Sequence, residues 1–484
     1  MHRNAARFTA LLVSVFATVA LAAGEVSDVV KVKRPAGGEY FGLYLMNQKV
    51  GYIFTDVQLL PPGDKIESIN EFVFKANVGT KVAERNHKEI HIYEAKPGGK
   101  LLSFTVEQHG DGGDQTLEGV NTPTGLRVVR KRPNFPNQVL NLPSAKESAE
   151  DADQVRVALL RNKDVNGFVV DGMDLQTYGV ATTLGESLTR VISGVKTHLR
   201  KVNTLSEKEK VPVEALVTDD GEMVEINFGQ SMKAVNEPEA VAKRLDQVEV
   251  FGLTRVVLPK PLPETAHQVP GRATMVMTGL PEKFQVDTYK QKYKKQGDGS
   301  VEVTLLAAFP DKGKRAKLPV KDPTKGAPYL KTSILVESDA PEIIALSKKI
   351  VGDEKDAYLA AQKINQWVYQ NLTKDYGASA DRATDVLRQR KGDCTEHSLL
   401  AVSLMRAAGI PARRVDGVIY MQQEDGVPAF YWHEWVEAYV GEWTQLDPTF
   451  NQTVADATHF GVGEEGNAEI TPLIGQLKVT KVVE

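Results

Sequence analysis

Lys391-Gly392-Asp393-Cys394-Thr395-Glu396-His397, followed by Ser398-Leu399-Leu400-Ala401-Val402 and a stop at Gly409-Ile410-Pro411, holds the only cysteine among 484 residues. Asp393 and Glu396 stand at capping-box spacing, in which each side chain takes the other residue's backbone N–H, so a helix is expected to begin with Cys394 at its first position. Leu399, Leu400, Val402, Leu404 and Met405 make this helix apolar nearly all round, the pattern of a buried helix. A thiol at the mouth of a buried helix meets the positive end of the helix dipole and unpaired amides. Both favour thiolate, so the position predicts a pKa below the free value of about 8.5. The Cys394 amide would also point at a carbonyl under attack, as half of an oxyanion hole. The bland alternative is an inert, buried Cys acting as a small hydrophobe, and the flanking Gly392, Asp393 and Thr395 argue against it.

A thiolate nucleophile needs an imidazole within reach and a third group to fix its tautomer. Of nine histidines, only His397, His433 and His459 follow Cys394, and His397 is tied to the helix's own surface. His433 opens an aromatic strand pattern in which His433, Trp435, Glu437 and Tyr439 share one face. Asp447 ends the next strand pattern, just before Pro448. Period-two alternation makes the intervening turn decisive. A two-residue loop at Gly441-Glu442 sets Asp447 on the face opposite His433, whereas a three-residue loop of Val440-Gly441-Glu442 pairs Tyr439 with Trp443 and brings Asp447 diagonally beside His433. The odd register is the expected one. Taken singly, His433 reads as packing and Asp447 as a turn residue; their combination with Cys394 carries the functional reading. His459 is expected to be structural. Trp432, Trp435 and Trp443 read as core rather than as a substrate groove.

Outward from this region, Ser338-Asp339-Ala340-Pro341 opens a helical pattern through Val351, a second helix from about Asp353 puts Ala357, Ala361, Ile364, Val368 and Leu372 on one face, and a short third helix is expected over 381–390. Strand-like segments follow at 413–421, 430–440 and 442–447. Helices followed by antiparallel strands make an α+β domain. Upstream, 38–336 alternates like antiparallel β structure with frequent turns, broken by one expected helix at 237–245. The Pro-rich Leu258-Pro259-Lys260-Pro261-Leu262-Pro263 reads as a hinge between two β-rich units. The expected division is a signal peptide at 1–22, a β-rich domain at 23–257, a smaller β-rich domain at 258–336 and the α+β domain at 337–484.

Arg3, Arg7, the apolar 11–21 and Ala20-Leu21-Ala22 form a secretory signal pattern, so export to a periplasm or to the medium is expected, with no membrane span once the signal is removed. Removing Arg3 and Arg7 takes the net charge from -4 to -6, a mild acidity that argues against a nucleic-acid partner. The basic clusters at 292–295 and 314–317 read as solvated loops. No cofactor is expected. His433-Glu434 lacks the second histidine of a zinc-binding helix, and no loop has the full calcium-binding spacing, so no metal is expected either.

Lys391 to His397, Ala407-Ala408-Gly409-Ile410-Pro411-Ala412-Arg413, Trp432-His433-Glu434-Trp435-Val436-Glu437 and Leu446-Asp447-Pro448-Thr449 together resemble the core blocks of the transglutaminase-like superfamily, in order and approximate spacing. The resemblance covers roughly 337–460. It implies a papain-related α+β fold in which Cys394 is the nucleophile, His433 the general base and acid, and Asp447 the orienting carboxylate. Asp456-Ala457-Thr458-His459 is similar to a recurring tail of bacterial members. The implied activity is acyl transfer from a peptide or glutamine amide of a protein or peptide substrate, with hydrolysis by a cysteine protease or amidase preferred over cross-linking. The competing expectation is a non-enzymatic envelope interaction or scaffold protein. Oligomeric state has no sequence signature.

Overall fold

Strands dominate the chain wherever apolar residues alternate; Val301–Ala307, for example, buries every second side chain. The computed structural model describes residues 25–483 apart from 79–80, 111–112, 134, 193, 246–247, 322–325, 376–379, 381, 424 and 465–469. The expected export signal at 1–22 lies outside the described residues.

Between Glu39 and Asn236, 14 strands form one antiparallel sheet. Its first eight strands meander to an edge at Gln138–Leu142, and the last six return from the other edge at Val165–Val170. First and last strands therefore pair, with Phe41 opposite Asn236. One part of the sheet packs Tyr93, Phe104, Val106 and Leu117 against Val157 of the helix Gln154–Arg161, and another gathers Phe41, Leu43, Val202 and Val217. The helix expected at 237–245 is a single turn, Glu239–Ala242. Only Ala242 of it is buried, too little to offset the cost of nucleating a longer helix.

A second sheet orders its four strands Gln291–Lys295, Val301–Ala307, Gly271–Thr278 and Lys478–Val483. Lys292, Lys294 and Lys295 thus lie on an edge strand rather than in the expected loop, where their charge discourages pairing with another chain. The Pro-rich segment is packed and does not hang free as a hinge. Leu258 and Leu262 are buried with Met275, Leu305, Phe430 and Phe460, and the Leu258 amide donates to the Pro428 carbonyl at 2.9 Å. Strand pairing crosses the expected boundaries at 258 and 337: Val256–Val257 joins the C-terminal sheet, and Lys478–Val483 joins the small one.

The C-terminal α+β unit contains α1 (Pro341–Val351), α2 (Ala357–Asn371), α3 (Ala383–Gln389) and α4 (Cys394–Ala407), then β1 (Ala412–Gln422), β2 (Pro428–Tyr439), β3 (Trp443–Leu446) and β4 (His459–Glu464). Pro341 opens α1 and Gly352 closes it. The Asp356 carboxylate caps α2 by accepting from the amides of Tyr358 and Leu359. Ala357, Ala361, Ile364, Val368 and Leu372 form the buried face, as their spacing requires. Every residue from Glu396 to Arg406 of α4 is buried, so this helix is the axis of the unit. Leu400, Leu404 and Met405 pack there with Val436, Ala438 and Leu446 of the sheet. Each fully buried Leu or Val contributes about 1.5–3 kcal/mol. In that sheet β2 lies between β1 and β3, and β4 flanks β1. A β-rich chain whose α+β C-terminal domain follows a large antiparallel sheet is the fold class expected from the sequence.

Candidate active site

Cys394 occupies the first position of α4, and the capping box of Asp393 and Glu396 is formed: the Asp393 amide donates to Glu396 Oε2 at 2.8 Å, and Asp393 Oδ1 accepts from the Thr395 amide at 2.8 Å. Glu396 Oε1 also accepts from the Ala380 amide at 2.9 Å, tying the helix start to the segment before α3. One turn on, Ser398 Oγ donates to the Glu434 carbonyl at 3.0 Å and fastens α4 to β2 beside His433. The Cys394 sulfur is half-buried and accepts from the Glu434 amide, the residue next to His433. Among the described residues, no hydrogen bond joins the sulfur to the His433 ring.

The thiol departs from expectation in its electrostatics. Burial pushes it well up, the Asp393 and Glu434 carboxylates add to this, and the Glu434 amide opposes them without prevailing. A helix dipole is worth about 0.3–1 kcal/mol at such a position. Loss of water beside two carboxylates is the larger effect.

His433 and Asp447 meet through the register of β2 and β3. Tyr439 pairs with Trp443 and Val436 with Leu446 across the loop Val440-Gly441-Glu442, the odd register that alternation required. Gly441 permits it with φ +112°, and a Cβ there would lie 1.9 Å from the Lys314 carbonyl oxygen. His433 Nε2 then donates to Asp447 Oδ2 at 2.7 Å. Asp447 is fully buried; its Oδ1 accepts from the amides of Thr449 (2.6 Å) and Phe450 (3.1 Å), and paired bonds between Asp447 and Gln452 clamp the turn. Burial alone would raise this carboxyl. The His433 and His459 rings outweigh burial and hold it far below the usual carboxylate range. On β1, Gly417 stands opposite His433, and a Cβ there would lie 2.7 Å from the Trp435 ring, so glycine lets that indole cross the strand. Trp435 is completely buried and donates its Nε1–H to Gln445 at 3.0 Å, as a core residue would.

His397 is buried and tied to its own helix, with Nδ1 2.6 Å from the Asp393 carbonyl oxygen, and no hydrogen bond among the described residues joins it to Asp447. His459, expected to be structural, stands at the site itself with Nε2 3.1 Å from Asp447 Oδ2. Its i, i+3 spacing from Asp456 was the available sequence signal. Ligand atoms of His433, Asp447 and His459 lie within 4.8 Å of one another, a spacing that could suit a metal ion. These atoms already face each other as hydrogen-bonding partners around Asp447, so shared protons account for their closeness.

Residues 344–448 match the family model of the transglutaminase-like superfamily. This stretch is a transglutaminase-like core. The chain is 31% identical over 114 residues to an uncharacterized protein of Haemophilus influenzae, covering 22% of this chain and 29% of the relative. It is 26% identical over 141 residues to an uncharacterized protein of Mycobacterium leprae, covering 28% and 49%. The chain therefore spans less than half the length of either relative. A solved structure described as a candidate cysteine protease from Cytophaga hutchinsonii is 19% identical, with 45% of this chain and 84% of that one covered and a TM-score of 0.29. No helix among the described residues is long and apolar enough to cross a membrane.

Proposed function

We propose that the transglutaminase-like core is an acyl-transfer enzyme acting on peptide or glutamine amides, with Cys394 as nucleophile, His433 as general base and acid, and Asp447 as the orienting carboxylate. The supporting observation is the 2.7 Å hydrogen bond between His433 Nε2 and Asp447 Oδ2, which exists only in the odd register of β2 and β3. An ionised Asp447 requires the ring proton on Nε2 and leaves Nδ1 unprotonated as the base. In the first half-reaction Nδ1 takes the S–H proton, sulfur bonds to the amide carbon, and the carbonyl oxygen becomes an oxyanion facing the Cys394 amide at the start of α4. Nδ1–H then protonates the departing nitrogen as the C–N bond breaks, leaving a thioester and a free amine. Water or a second amine, deprotonated by Nδ1, releases the acyl group. Hydrolysis is the preferred reading over cross-linking.

The raised thiol gives a second reading its specific support: a non-enzymatic envelope or interaction protein would keep Cys394 inert. Catalytic hydrogen bonds that are long in a free enzyme tighten with substrate, so the readings separate in solution. Iodoacetamide is expected to label Cys394 at neutral pH, with a rate that falls in His433→Ala, and mass spectrometry after exposure to a peptide pool should find an acyl adduct on Cys394 that Cys394→Ala lacks. A folded protein whose thiol labels at the same rate with or without His433, and carries no adduct, is a scaffold.

A further inference from the structure

His459 opens β4, is fully buried, and places each ring nitrogen against a different carboxylate: Nε2 is 3.1 Å from Asp447 Oδ2, and Nδ1 is 3.2 Å from Asp456 Oδ1. Thr458 Oγ1, 3.3 Å from Nδ1, gives its proton to Asp456 Oδ1, and an ionised carboxylate only accepts hydrogen bonds, so serving both carboxylates puts a proton on each nitrogen and a positive charge on the ring. The surroundings contain few competing charges. Lys290, just before the edge strand of the small sheet, donates from Nζ to the carbonyls of Ala455 and Asp456. Gln452 Nε2 donates to Asp456 Oδ2 at 3.0 Å, and His267 Nδ1 lies 4.0 Å from the same oxygen. The His433 ring stands 6.0 Å away and the Trp435 indole meets His459 edge-on at 5.1 Å. Across β1 only Ile419, Val418 and Gly417 face β4 near this point.

We propose that His459 is a positioning residue of the Cys394–His433–Asp447 site: a buried imidazolium that bridges Asp456 and Asp447, keeps Asp447 ionised and aims its Oδ2 at His433. The proposal rests on the acyl-transfer reading and adds a fourth side chain to it. Its support is geometric, and electrostatics agree: burial alone would lower the ring, while hydrogen bonds to Asp447 and Asp456 hold it above its ordinary value. The consequence falls on His433. With His459 charged, Asp447 divides its field between two rings. Without His459 the whole carboxylate charge acts on His433 and makes it a stronger base.

Two measurements on the full chain test this. In protein carrying 15N-labelled histidine, the signal that disappears in His459→Gln is expected to report a ring protonated at both nitrogens throughout pH 5–8; a neutral ring at pH 7 overturns the proposal, whether or not the protein is an enzyme. In folded His459→Gln, the alkaline limb of the His433-dependent iodoacetamide rate is expected to move up by about one pH unit, and an unchanged limb overturns it. Should His459→Gln fail to fold, Asp456→Asn keeps the ring and withdraws one negative charge. His459 should then titrate within the same pH range, and a ring that still does not titrate counts against the bridge. A wild-type thiol indifferent to His433→Ala defeats the acyl-transfer reading instead, and the labelled-histidine result still decides the charge of His459.

Discussion

Asp447 does two local tasks with its two oxygens. Oδ1 holds the turn through the amides of Thr449 and Phe450, while Oδ2 meets His433. The ordinary reading of an Asp before Pro, a turn residue, and the catalytic one describe the same carboxylate. Asp447→Asn keeps its shape but can place an N–H2 group toward His433, which pushes the ring to the wrong tautomer. Amide turnover is expected to fall by about 10³–10⁴-fold, and the His433-dependent part of thiol labelling at pH 7 should vanish; labelling equal to wild type would remove Asp447 from the mechanism. The raised thiol makes a second prediction. In His433→Ala, iodoacetamide labelling should follow one alkaline rise lying above that of a free cysteine, because burial and the Asp393 and Glu434 carboxylates still act on the sulfur.

At the scale of elements, one loop length decides whether a site can exist. Deleting Glu442 would shorten the β2–β3 connection by one residue, and a one-residue slip moves every side chain of β3 to the other face. The folded deletion variant should then label like His433→Ala. Gly441→Ala tests the loop itself. A Cβ at φ +112°, 1.9 Å from the Lys314 carbonyl oxygen, is expected to cost more than about 1 kcal/mol, read as a lower melting temperature. The caps are comparably local: Asp393 and Glu396 start α4 where the sulfur can sit at its mouth, and Gly352 and Asp356 separate α1 from α2.

Over the whole molecule, ion pairs join the large sheet to the C-terminal α+β unit. Arg130, with a completely buried side chain, lies 3.1 Å from Glu337, whose other oxygen accepts from Thr384 at the start of α3; Arg132 reaches Asp385 of the same helix at 3.2 Å. Glu337→Gln would leave the buried Arg130 charge with Gln138 and the more distant Asp385 carboxylate, at a cost of up to about 3–5 kcal/mol. Urea midpoints should fall accordingly, and replacing both partners with Met should recover part of the loss. The large sheet also has a pH signature. Burial alone would lower His91, but Glu147 at 2.9 Å and Glu89 raise it to about 9. Its contribution is fully present below the unfolded value of about 6.5 and is lost as pH rises through about 9. The stability difference between wild type and His91→Gln should therefore shrink from pH 6 to pH 10, and a constant difference would contradict the charged pair.

By itself the sequence determined what depends on near neighbours: where α4 starts, the buried face of α2 and the alternation of the strands, which made a His433–Asp447 contact depend on one of two loop lengths. Capping, helical period and pleat are short-range rules, and one chain states them in full. Only the tertiary structure decided the rest. The thiol is raised because the fold buries it and brings Glu434 of β2 beside it, His459 reaches Asp447 because β4 folds back against β1, and Arg130 meets Glu337 across 207 positions. The Pro-rich segment became core and the last strand joined the small sheet for the same reason. Desolvation and Coulomb energies sum over groups that the fold assembles, and no local pattern records which groups those will be.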